Sequence, residues 1–168
     1  SNERARDLFK GMVERGIHKD WLGFTALNIS QDPETLDYMA KSGNFGMLVG
    51  IESTNETVLK KMNKQVNLKL GTDSYFDCIQ KIHNAGLVVW GSVVFGADGD
   101  DKDSFKRMTD FILENNIDIL TFGINCPFPK TQLYARLDSE KRIFRKNYPE
   151  DWQYYDTAHV VHRFVDMT

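Results

Sequence analysis

Two hydrophobic rhythms alternate along the chain. Residues 3–15 place Ala5, Leu8, Phe9, Met12 and Val13 at helical spacing, and Gly16 suits the stop. Leu22 to Ile29 is a short, nearly continuous apolar run that reads as a buried strand. Asp32-Pro33-Glu34 carries a cap, a first-turn proline and an early acid. It therefore starts a helix whose apolar face is Leu36, Met39 and Ala40, ended by Gly43. Met47 to Ile51 is a second buried strand. Ser53-x-x-Glu56 has the form of a capping box, which predicts a helix carrying Val58, Leu59 and Met62. Asp73 to Ala85 repeats the helical pattern with Phe76, Ile79 and Ile82 inward, closed by Gly86. Leu87 to Phe95 is a strand, and 96–101 a loop. Ser104 to Asn115 is a helix with Phe105, Met108, Phe111 and Ile112 inward. Ile119 to Asn125 is the fourth strand. One more helix near Leu133–Leu137 precedes an aromatic tail through Trp152, Tyr154 and Tyr155.

Buried strands alternating with amphipathic helices imply an α/β fold with a parallel sheet covered by helices. In such folds ligands sit at the C-terminal ends of the strands. Here those ends are polar: Asn28, Glu52, Ser92 and Asn125. Side chains alternate along a strand. Leu48, Gly50 and Glu52 therefore share one face, as do Trp90, Ser92 and Val94, and Thr121, Gly123 and Asn125. If those faces line a barrel, its upper interior is polar and roomy. Each polar residue also has a plainer reading, since loops begin where strands end. Glu52 resists it, because an unpaired carboxylate at the end of a buried strand is costly. Ser53 is accounted for by capping alone.

Composition narrows the classes. The chain has 168 residues, 41% hydrophobic and 27% charged, which suits one folded domain rather than a disordered chain. A net charge of −3 without a basic run gives no reason to expect nucleic-acid binding. There is no apolar stretch long enough for a membrane span and no signal peptide, so the cytoplasm is the expected compartment. Ser1-Asn2 reads as a cloning remnant. Cys78 and Cys126 are too far apart for a metal clip. His18 and His83 are read on helices, and His159 and His162 in the tail. All four count as structural or surface residues, and no metal ligand is assigned.

Three motifs fall in one order. Gly46 to Lys64 (Gly-Met-Leu-Val-Gly-Ile-Glu-Ser-Thr-Asn-Glu-Thr-Val-Leu-Lys-Lys-Met-Asn-Lys) resembles the fourth-strand signature of radical S-adenosylmethionine (radical SAM) enzymes. Ile82 to Leu87 followed by Gly91 to Asp100 is similar to their fifth strand and glycine loop. Cys126-Pro-Phe-Pro-Lys-Thr-Gln-Leu-Tyr134 resembles the loop after the sixth strand, usually Pro-x-Pro-Gly-Thr. Trp21 to Asp32 is similar to the third strand. The tail, through Asp151-Trp152, Tyr155-Asp156, His159-Val-Val and Met167-Thr168, more loosely resembles members with a cobalamin-binding domain.

The resemblance implies a partial (β/α) TIM-type barrel at 1–137, supplying strands three to six of six, with the aromatic tail 138–168 packing on it or extending it. It implies an iron–sulfur oxidoreductase or methyltransferase. The intact enzyme would reductively cleave S-adenosylmethionine to a 5′-deoxyadenosyl radical on a 4Fe–4S cluster, with cobalamin as a further cofactor. The cluster-binding CxxxCxxC segment is absent here. It is expected roughly 60–80 residues upstream, about two βα units, and the chain alone is expected to be inactive. The resemblance assigns Glu52 to the ribose or the methionine end, Lys64 to the methionine carboxylate and Ser92 to the ribose. It puts the backbone of Phe95 and Gly96 near the adenine, and Phe128 and Pro129 along its pocket. Lys130 departs from the family's glycine, which puts the shape of that loop in question. The small-molecule substrate stays open. So do two other readings: a stand-alone α/β ligand-binding or interaction domain, and a barrel hydrolase with metals at the strand ends, against which no His or Asp pair stands there. The exposed edge of the first strand leads us to expect a homodimer, or else closure by the first helix or the tail.

Overall fold

The computed structural model describes residues 2–167. Ser1, from the supposed cloning remnant, and Thr168, the last residue of the tail motif, lie outside the described residues. The strands are β1 (Trp21–Thr25), β2 (Asn44–Glu52), β3 (Val88–Phe95) and β4 (Ile119–Ile124), all parallel and in the order β1-β2-β3-β4. The helices are α1 (Asn2–Glu14), α2 (Pro33–Lys41), α3 (Glu56–Lys61), α4 (Gln65–Leu70), α5 (Tyr75–Asn84), α6 (Ser104–Glu114) and α7 (Gln132–Ser139). This is the expected α/β architecture: each parallel strand returns through a helical crossover. No described helix is long and apolar enough to cross a membrane.

One face of the sheet carries the core. Met47, Val49 and Ile51 of β2 and Val89 and Val93 of β3 are fully buried, packed with Leu36, Met39, Ile79, Ile82 and Met108 from the helices. Each such side chain contributes about 1.5–3 kcal/mol. The other face is the open one. In register across it lie Phe24, Leu48, Trp90 and Ile119, then Gly50, Ser92 and Thr121. Trp90 donates its indole N–H to the Thr121 hydroxyl at 2.6 Å, which confirms the shared face. The lower row is apolar, and Phe24 is 80% exposed.

Several elements differ from the sequence reading. The apolar run Leu22–Ile29 is not one strand. It leaves the sheet after Thr25 and winds into a 3₁₀ turn over Leu27–Gln31, with Ile29 N–H on the Ala26 carbonyl. Leu27 and Ile29 are buried all the same, since apolarity reports burial and not period. Asn28 therefore sits in that turn and not at a strand end. The capping box is also displaced. Ser53 Oγ accepts the Asn55 N–H at 3.0 Å, and Asn55 itself caps α3 by accepting the Thr57 N–H at 2.9 Å. Glu56 turns outward to Lys60. Asp32 does cap α2, accepting from Thr35 N–H, and Arg6 of α1 pairs with it at 2.7 Å. Phe76 and Phe105 were expected inward but are about half exposed. His18 lies between α1 and β1 rather than on a helix. Helix α4 has no counterpart in the sequence reading. β4 is the fourth strand as expected, and Phe122 is 67% exposed on it.

The tail is tied to the β4 side. Ile124 N–H donates to the Thr157 carbonyl at 2.7 Å. Tyr155 gives its proton to the Arg145 carbonyl, so Tyr148 must donate to Tyr155 and Tyr134 of α7 to Tyr148. Each hydroxyl has one proton, and the terminal carbonyl sets the direction of the whole chain.

Candidate functional site at the strand ends

The sheet register slips between Gly50 and Glu52. There Ser53 N–H donates to the Ile51 carbonyl at 2.8 Å, a three-residue turn centred on Glu52, whose φ is 65°. This conformation costs a non-glycine residue about 1–2 kcal/mol. It throws the carboxylate back along the strand: a Cβ at residue 50 would stand 2.9 Å from Glu52 Oε1, so a larger residue there would push the carboxylate aside. Lys64, at the N-cap of α4, meets that oxygen at 2.6 Å. Glu52 and Lys64, assigned separately from the sequence, thus form one ion pair. With Gly50, Thr25, Asn63 and Asn67 they line a cleft of about 380 Å³.

A second cleft of about 310 Å³ opens beside it, lined by Asn125, Ala97, Asp98, Lys61 and Arg136. Asn63 borders both. Asn125 N–H is held by the Phe95 carbonyl at 2.7 Å. Ser92 stands between Gly50 and Thr121 on the open face, one register step from Glu52. The remaining candidates are placed elsewhere. Asn28 lines a separate hollow on the far side of α4, with Gln31 and Lys69. Phe95 turns its ring away from the open face and stacks on Phe105 at 4.4 Å. Gly96, with φ 84°, does admit a close approach, and the group that takes it is the Phe164 ring, 2.4 Å from where a Cβ would be. Phe128 is exposed in its loop and borders neither cleft. Lys130, with φ 67°, keeps the left-handed backbone in which a glycine would be unstrained.

Two residues escaped the sequence reading. Asn67 is buried under the end of β2 and donates its amide to the Gly50 and Ile51 carbonyls. Its signal, an Asn inside a six-residue helix, is too faint to stand out. Asp98 holds two guanidinium groups, Arg142 and Arg136, and those bonds pull its carboxyl from 3.8 down to about 2. Both partners are remote in sequence. Its neighbour Asp100 accepts the Gly96 and Ala97 N–H groups and shapes the loop, while burial pushes its own carboxyl up.

The residues present do not fit a metal cluster. Cys78 is buried on α5 and Cys126 beyond β4, and among the described residues no three His, Cys, Asp or Glu side chains gather to hold a metal ion. The Glu52–Lys64 cleft does suit a polar organic ligand, offering a paired acid and base at the mouth of the sheet.

No protein-family model matches the chain. Among curated proteins it is 32% identical over 153 residues to bacteriochlorophyllide d C-12(1)-methyltransferase of Chlorobaculum tepidum, covering 91% of this chain and 31% of that protein. It is 31% identical over 147 residues to hopanoid C-2 methylase of Rhodopseudomonas palustris, covering 85% and 27%. Among solved structures it superposes on the radical S-adenosylmethionine methyltransferase TsrM from Kitasatospora setae, determined with cobalamin and a [4Fe-4S] cluster. The TM-score is 0.70 at 14% identity, over 85% of this chain and 29% of that one. The cobalamin-dependent S-adenosylmethionine radical enzyme OxsB matches with a TM-score of 0.56 at 17% identity, over 83% and 20%. The chain thus spans less than a third of each relative: it is similar in sequence to part of a bacteriochlorophyllide methyltransferase and of a hopanoid methylase, and similar in fold to part of two radical S-adenosylmethionine enzymes.

Proposed function

We propose that this chain is the S-adenosylmethionine-holding part of a cobalamin-dependent radical SAM methyltransferase. The observation that carries the reading is the Glu52–Lys64 pair at the mouth of the 380 Å³ cleft. An ammonium and a carboxylate side by side match the two charged ends of an amino-acid zwitterion, and a carboxylate also accepts well from vicinal ribose hydroxyls. Lys64 would take the ligand's carboxylate and Glu52 its ammonium or ribose. Ser92 and Asn125 would offer neutral partners further along the same rim. S-adenosylmethionine supplies the methyl group when bound; this chain's residues bind and orient it. Cluster ligation, and with it the reaction of the whole protein, would fall to residues outside this chain, and cobalamin is assigned no residue here. Two relatives are named for methylating a bacteriochlorophyllide and a hopanoid, and a small organic methyl acceptor is part of the proposal.

The test is calorimetric titration of S-adenosylmethionine into the chain and into Glu52→Gln, which keeps the shape and removes the charge. Losing a charged hydrogen-bond partner costs about 1.5–3 kcal/mol, so affinity should fall at least about tenfold with the melting temperature nearly unchanged. Equal affinities would remove Glu52 from the site.

A further inference from the structure

Asn67 lies in the first turn of α4, three residues after Lys64, and is buried beneath the turn that carries Glu52. Its Nδ2 is 3.0 Å from the Gly50 carbonyl, 3.2 Å from the Ile51 carbonyl and 2.9 Å from the Tyr75 hydroxyl. An amide has two protons, so these three oxygens share them. The two carbonyls belong to the residues just before Glu52, where the register slips and one strand residue is left out of the ladder. That slip must be held, because Glu52 at φ 65° stays in its conformation only if its surroundings over-determine it. Asn67 supplies the hold from the strand side. By the same bonds it fixes α4, and with α4 the backbone from which Lys64 reaches Glu52.

From this geometry we infer that Asn67 is a positioning residue: it acts through the Glu52–Lys64 pair, which it sets by stapling α4 to the Gly50–Ile51 carbonyls. Tyr75 completes the staple from α5, its ring fully buried and its phenol pushed up by that burial. The functional consequence rests on the ligand reading of Glu52 and Lys64; the positioning itself does not.

The experiment reads the pair directly. At low temperature and mildly acidic pH, where ammonium proton exchange with water is slowed, the Lys64 ammonium in its 2.6 Å pair should give a side-chain signal in a proton–nitrogen NMR spectrum. Wild type should show it, and Glu52→Gln should lose it, which assigns it. Asn67→Ala should lose it too, and Asn67→Ser, which keeps one donor, should weaken it. Lys69→Ala, an exposed change on the same helix, should leave it intact. S-adenosylmethionine affinity should fall about tenfold in Asn67→Ala. A role in stability alone would lower the melting temperature and leave the Lys64 signal in place; that result overturns the inference. So does failure of both Asn67 variants to fold, which assigns Asn67 to the fold, and so does absence of the signal from wild type. If wild type shows the signal but binds no S-adenosylmethionine, the ligand reading fails and the positioning role stands. If Glu52→Gln weakens binding while Asn67→Ala keeps both signal and affinity, the positioning role fails and the ligand reading stands.

Discussion

Arg142 lies across both carboxylate oxygens of Asp98, at 2.6 and 3.2 Å, joining positions 44 residues apart. The forked guanidinium matches the carboxylate's two acceptors, and Arg136 adds a second charge at 2.5 Å. This contact pins the segment after α7 to the loop after β3, where Asp98 borders the smaller cleft. Both partners are largely shielded from water. Arg142→Ala leaves the carboxylate short of its main partner and should cost about 2–4 kcal/mol by urea denaturation. The pH dependence follows from the carboxyl standing at about 2 in the folded chain against 3.8 ordinarily. Its stabilisation, about 2 kcal/mol, is in force above pH 4 and is lost as pH falls toward 2. Asp98→Asn should therefore be less stable at pH 7 and show a shallower loss between pH 4 and 2. An unchanged acid slope would contradict the role of the pair.

His162 titrates in a different window. It is 1% exposed, its Nδ1 has no hydrogen-bond partner, and its ring meets Phe164 edge-on at 5.1 Å. Burial comes first among the causes that lower its pKa, followed by Arg142, with Arg136 adding to them; the Gly96 carbonyl and Asp98 act in the opposite sense without prevailing. The folded chain thus holds His162 neutral. Its contribution is fully present above the ordinary value of 6.5 and is lost as pH falls below it. The melting temperature should drop between pH 7.5 and 5.5 in wild type, and His162→Gln should flatten that drop. Equal slopes would show that another group drives it.

The two readings of the start of α3 separate cleanly by substitution. Asn55→Ala removes the side chain that accepts the Thr57 N–H and should cost about 1 kcal/mol. Glu56→Ala removes only an exposed pair with Lys60 and should cost no more than about 0.5 kcal/mol. If Glu56→Ala were the costlier change, the capping box read from the sequence would be right after all.

Strand and helix identity was legible wherever one period dominated: the alternation that put Leu48 and Gly50 on one face holds in the register with Trp90 and Ser92, and it breaks at Glu52, where a slip pairs that residue with Val93. It failed where apolarity and period part company. Leu27 and Ile29 are buried in a 3₁₀ turn, and Phe76 and Phe105 keep helical spacing while half exposed. Glu52 and Lys64 were found through a resemblance, but their pairing was not, because it depends on a positive φ at Glu52 that no local pattern announces. Asp98, Arg142 and His162 come together only through the fold of the tail, so nothing local could have linked them.

The central claim is that Glu52 and Lys64 face the ligand. S-adenosylmethionine titrated into nitrogen-labelled chain should shift the amide signals of Gly50–Ser53, Lys64–Asn67, Ser92 and Asn125, while those of α1 and α2 stay in place. Saturating ligand that moves none of these signals, or moves only signals remote from the ends of β2 and β3, would contradict it.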